Sequence, residues 1–86
     1  MMNANELINQ NELHMAQVLR ARLSELGVPR PALKILKGRG VNTLGDLTAM
    51  TREELLRIRF LGRANVNAIE RLLKSYDLNL RQSKQS

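Results

Sequence analysis

The chain has 86 residues, with fourteen Lys and Arg against eight acids, a formal net charge of +6 and no cysteine. That length holds one domain with a modest core, and the missing cysteines exclude disulfides and thiolate metal sites and fit a reducing, cytoplasmic compartment. No apolar run nears the ~18 residues of a membrane span, and the polar, acidic opening lacks the order of a signal peptide, so a soluble protein is expected.

Helical signals fill the sequence, and no segment alternates apolar and polar residues as a strand would. A first helix is predicted over residues 5–26, its stripe formed by Ile8, Met15, Leu19, Leu23 and Leu26, with fraying before about residue 11. Gly27 suits the position after its end and Pro29 stops continuation. A second helix starts near Pro31, which fits a first turn, and ends in Gly38-Arg39-Gly40. Thr43 with Asp46, and Thr51 with Glu54, have capping-box spacing and mark two short helices. The last helix is predicted over 62–76, with Val66, Ile69, Leu72 and Leu73 inward. Residues 81–86 read as a disordered tail. Short connections between short helices imply an all-α fold, a compact bundle of about five helices.

The segment from Leu55 to Ile69 carries the functional reading. One helix ends near Arg59, the backbone turns through Phe60-Leu61-Gly62, and another helix opens at once, as in a helix-hairpin-helix motif. A new helix presents unpaired amides and the positive end of its dipole, which suits an anion. Gly62 lets a phosphate approach the backbone, Arg63 adds charge, Leu61 plugs the hairpin into the core, and Ala64 is expected to let the helices pack closely. Alternatively, Gly62 merely permits a tight turn. The stretch Gly40-Val41-Asn42-Thr43-Leu44-Gly45-Asp46-Leu47 reads as a degenerate counterpart, giving two helix-hairpin-helix elements.

Leu33-Lys34-Ile35-Leu36-Lys37, Val41-Asn42-Thr43-Leu44-Gly45-Asp46-Leu47, Thr51-Arg52-Glu53-Glu54-Leu55-Leu56, Leu61-Gly62-Arg63 and the closing Tyr76-Asp77-Leu78-Asn79-Leu80 occur in order over 28–80. Together they resemble the C-terminal domain of the bacterial RNA polymerase α subunit, a SAM-like helical fold. The resemblance implies binding to the minor groove of upstream promoter DNA and contact with transcription activators. It implies DNA contacts from the hairpin glycine, here Gly62, and from the residues after it, here Arg63, Ala64 and Asn65. An arginine at the start of the family's first helix falls on Pro31, with Arg30 next door, and an asparagine three residues later falls on Lys34. Phe60 stands where the family has a small or turn-favouring residue. With residues 1–27 read as an amphipathic helix packed on the domain or at an oligomer interface, the protein looks like a free-standing relative with an added N-terminal helix.

Arg30, Lys34, Lys37 and Arg39 form one acid-free run, and Arg57, Arg59 and Arg63 form another. The expected function is non-enzymatic, transcription-related binding of duplex DNA through its backbone and minor groove, by Gly62, Arg63, Asn65, Arg30, Lys34, Lys37, Arg39 and Arg59. With Phe60 and Tyr76 as the two aromatics, single-strand stacking is not expected. The alternative is a protein-interaction module, docking on RNA polymerase, a transcription factor or a second copy through Met15, Leu19 and Leu23, although that stripe is read first as core. No catalytic set, cofactor motif or metal-ligand spacing is found: His14 is alone, and Glu53 and Glu54 serve a helix start.

Overall fold

The computed structural model describes residues 4–82, with side chains of the first helix described from Glu12 onward. Among them run helices α1 (Ala4–Arg20), α2 (Arg30–Gly38), α3 (Leu44–Thr48), α4 (Arg52–Leu56) and α5 (Gly62–Ser75), with a 3-10 turn at Leu23–Glu25. The fold is all-α. Helices α2 and α3 make the first hairpin, and α4 and α5 the second.

Local chemistry sets most of these boundaries. Pro31 sits in the first turn of α2, where its missing N–H costs nothing. The helix closes where Gly40 adopts φ 77 and the Val41 amide donates back to the Leu36 carbonyl at 2.9 Å, the reverse turn that ends many helices. Thr43 and Thr51 cap α3 and α4 in complete capping boxes, with Asp46 and Glu54 as the reciprocal acids.

The first helix is shorter than its periodicity predicts. It ends at Arg20, because the next residues join the first hairpin. The Leu23 amide donates to the Asn42 carbonyl at 2.9 Å, and the Leu44 amide donates to the Ala21 carbonyl at 3.1 Å. Two backbone bonds to the hairpin replace continued helix, and the detour drives Leu23 to 0% exposure. Gly27, at φ 79, therefore follows the 3-10 turn and not α1.

The core is one cluster, with Leu23, Leu36, Leu44, Leu47, Leu55, Leu61, Val66, Ile69 and Leu73 at its centre. Val18 and Leu26 pack partly buried against it, and Leu19 is half-buried. Helix α1 lies on α3 closely enough that a Cβ on Gly45 would come 3.1 Å from the Leu19 carbonyl oxygen. The stripe thus splits. Leu23 is core, which removes it from a partner face, and Leu19 faces α3. Met15 stays exposed at 42% and Leu13 at 62%, while the Ile8 side group lies outside the described residues.

Polar ties hold the second hairpin. Arg52 on α4 pairs with Glu70 on α5 and donates to the Asn67 side-chain oxygen at 3.0 Å. Arg81, expected in the tail, is anchored. Its amide donates to the Met50 carbonyl at 2.8 Å, its Nε to the Ala49 carbonyl at 3.0 Å, and its guanidinium to Glu54 at 2.9 Å. Residues 83–86 of that tail lie outside the described residues.

Candidate nucleic-acid interface

The second hairpin turns through Phe60 at φ 69 and Gly62 at φ 81, with Leu61 between them at φ −70, ψ −54. Left-, right- and left-handed residues in succession turn neighbouring amides toward one side, the backbone geometry of an anion-binding nest. Leu61 locks the turn by burying its side group to 2% exposure. Its own amide is used, donating to the Ile58 carbonyl at 3.2 Å. The amides that follow open α5, and the first amides of a helix have no partner within it. They receive no side-chain cap, and the first turn of α5 holds no acid.

The other helix starts differ in chemistry. At α3 the Asp46 carboxylate accepts from the Asn42 amide at 2.9 Å and the Thr43 amide at 3.1 Å. At α4 the Glu54 carboxylate accepts from the Thr51 amide at 2.9 Å. Both carboxyls are held below their ordinary pKa, Asp46 chiefly by the Asn42 amide and Glu54 chiefly by the Thr51 amide. These two helix starts are neutralised from within. At α2, Pro29 and Pro31 bracket the start and remove two donors. The start of α5 keeps its donors.

Arg59, Gly62, Arg63 and Ala64 are all exposed around this turn, as is Phe60 at 80%. The Arg59 guanidinium lies 4.9 Å from the centre of the Phe60 ring. Two expectations change. Ala64 points to solvent and so does not make a close helix contact. Asn65 turns inward, its side-chain amide donating to the Leu61 carbonyl at 2.7 Å, so it braces the hairpin and its nitrogen is already engaged.

The cations of α2 and its C-terminal end are exposed and divide between depressions. Arg39 lines a shallow cleft with Arg57, Asp46 and Glu54. Lys37 lines a different depression with Arg22, Ser24 and Asn42. Arg30 and Lys34 stand exposed on α2. Phe60 is a candidate contact that the hairpin pattern does not mark. Its signal was visible: a lone aromatic at a turn among three arginines.

No group of His, Asp and Glu among the described residues could hold a metal ion, and no helix among them is long and apolar enough to cross a membrane.

Paired hairpins around one small core, with an open helix start at the second, define a helix-hairpin-helix domain. The protein belongs to the family of the C-terminal domain of the bacterial RNA polymerase alpha chain, whose profile matches residues 5–75. That match takes in α1 as well as the hairpins. Among curated proteins it is similar to the DNA-directed RNA polymerase subunit alpha of Porphyromonas gingivalis, at 37% identity over 83% of this sequence and 22% of that protein. The corresponding subunits of Syntrophomonas wolfei and Bacteroides fragilis are 38% and 34% identical over 90% of this sequence, and 24% and 23% of theirs. The 86 residues thus span about a quarter of the length of the relatives they match.

Proposed function

We propose that this protein is a non-enzymatic, transcription-related module that binds duplex DNA through its phosphate backbone and minor groove, with the opening of α5 as the grip. The observation that carries this reading is the contrast among helix starts. Those of α3 and α4 are closed by the protein's own carboxylates, whereas that of α5 has no cap and no acid and lies between Arg59 and Arg63. A phosphate set there accepts from the Gly62 and Arg63 amides and gains from the helix dipole and two guanidinium groups. Arg30, Lys34, Lys37 and Arg39 add long-range attraction that salt screens. Asn65 acts by holding the Leu61 carbonyl. Family membership supports the same reading.

Titration of a labelled duplex at two salt concentrations tests it. Affinity falls steeply with salt, and Arg63→Glu weakens binding on every sequence while lowering the salt slope by about one. Unchanged low-salt affinity in that variant would remove the hairpin from the contact.

A second reading rests on the exposed Leu13 and Met15: α1 docks on polymerase, a transcription factor or a second copy. Light scattering checks the last case, since a dimer that dissociates on Met15→Asp would place the seam on α1.

A further inference from the structure

Phe60 has no structural reason to be phenylalanine. The turn requires a left-handed residue at this position, φ 69, which glycine or asparagine adopts at little cost and a bulky residue does not. Burial of the ring does not offset that strain, because Phe60 is 80% exposed. Among the described residues the ring meets the Arg59 guanidinium, 4.9 Å from its centre, and that contact is itself at the surface. An exposed aromatic on strained backbone is a feature from which a functional role can be inferred.

The surroundings identify its partner. Between residues 57 and 63 there are three arginines and no acid, and Phe60 stands two residues before α5, whose start has no side-chain cap and no acid. A partner here is a polyanion that also offers an apolar slot. Duplex DNA has both, since phosphates line its minor groove and a base step can open to an apolar wedge. A lone aromatic cannot stack successive bases of a single strand. We propose that Phe60 inserts from the minor groove at a flexible base step and partly unstacks it, with Arg59 riding on the phosphate beside it. The inference rests on the DNA-binding reading above and adds a deforming contact to a gripping one.

The test uses the full-length protein and duplexes carrying 2-aminopurine at a central TA step, which is easily unstacked. Wild type is expected to raise the probe's fluorescence at saturation. Phe60→Ala should abolish that rise and weaken binding about tenfold, as expected for a lost base–aromatic contact. The salt slope should not change, because no charge is lost. Phe60→Leu should keep part of both signals. Since the ring is exposed, thermal melts should show all variants folded. Saturated binding without a fluorescence rise, or equal affinity for wild type and Phe60→Ala, overturns the wedge and leaves the backbone grip standing, pointing Phe60 toward a protein pocket. Absence of duplex binding by wild type at low salt overturns both proposals.

Discussion

Phe60 and Gly62 occupy the same left-handed region at φ 69 and φ 81, but only glycine does so without strain. Phe60→Gly should therefore stabilise the fold by about 1 kcal/mol, the cost of a left-handed L-residue less glycine's extra conformational entropy. For a protein of this size that is a rise in melting temperature of about 4–8 °C. A lower melting temperature would mean that the ring supports the turn. A gain in stability with a loss of DNA affinity is the trade-off expected where a strained residue serves binding. The capping acids make a second residue-scale case. Asp46 and Glu54 titrate below their ordinary values of 3.8 and 4.5 in the folded protein. The native state thus binds fewer protons than the unfolded state in acid. Their stabilisation is fully present above the unfolded values and is lost as pH falls through the lower, folded ones. Denaturant midpoints should hold near pH 6 and drop below about pH 4.5, and Asp46→Asn with Glu54→Gln should flatten that drop. An equal drop in the double variant would assign the acid sensitivity elsewhere.

At the scale of elements, helix starts were the most legible feature of the sequence. Thr43 with Asp46 and Thr51 with Glu54 announce their capping boxes by spacing alone, because the motif is local. Loss of one should be measurable: Thr51→Ala is expected to cost about 1 kcal/mol in urea unfolding. The end of α1 was not legible. The spacing of Leu19, Leu23 and Leu26 continues a helical stripe, yet the backbone leaves the helix at Ala21 to bond with Asn42 and Leu44. That choice depends on residues about twenty positions downstream, which periodicity cannot sense. The same holds for Arg81, whose acceptors at Ala49, Met50 and Glu54 lie far back in the sequence. Close packing between α1 and α3 is testable through Gly45, where a Cβ would sit 3.1 Å from the Leu19 carbonyl oxygen. Gly45→Val should cost about 2 kcal/mol and loosen α1, since its branched atoms meet backbone and not a movable side group. Limited proteolysis would read this as faster cleavage near Ala21. Unchanged protection would show that α1 can shift at little cost.

For the whole molecule, charge and site are separable. A formal net charge of +6 draws polyanions from a distance but does not choose a point of contact. Cations of the first basic run divide between depressions, Arg39 beside Arg57 in one and Lys37 beside Arg22 in another, so a run of charge in sequence is not one surface in the fold. The candidate site was legible in part. Gly62, Arg63 and Leu61 were placed by the hairpin pattern, whereas the inward turn of Asn65 and the outward turn of Ala64 depend on helix phase at the first turn, which spacing does not resolve. What distinguishes the proposed contact point is which helix start keeps its donors open: acids cap α3 and α4, prolines remove two donors at α2, and α5 has neither. Amide chemical shifts recorded during titration with a short duplex measure this directly. The largest and earliest downfield shifts should fall on Gly62, Arg63 and Ala64, with the amides of Asn42, Thr43 and Thr51, already bonded to carboxylates, nearly unmoved. Shifts concentrated on α1, or spread evenly with none at the start of α5, would contradict the account.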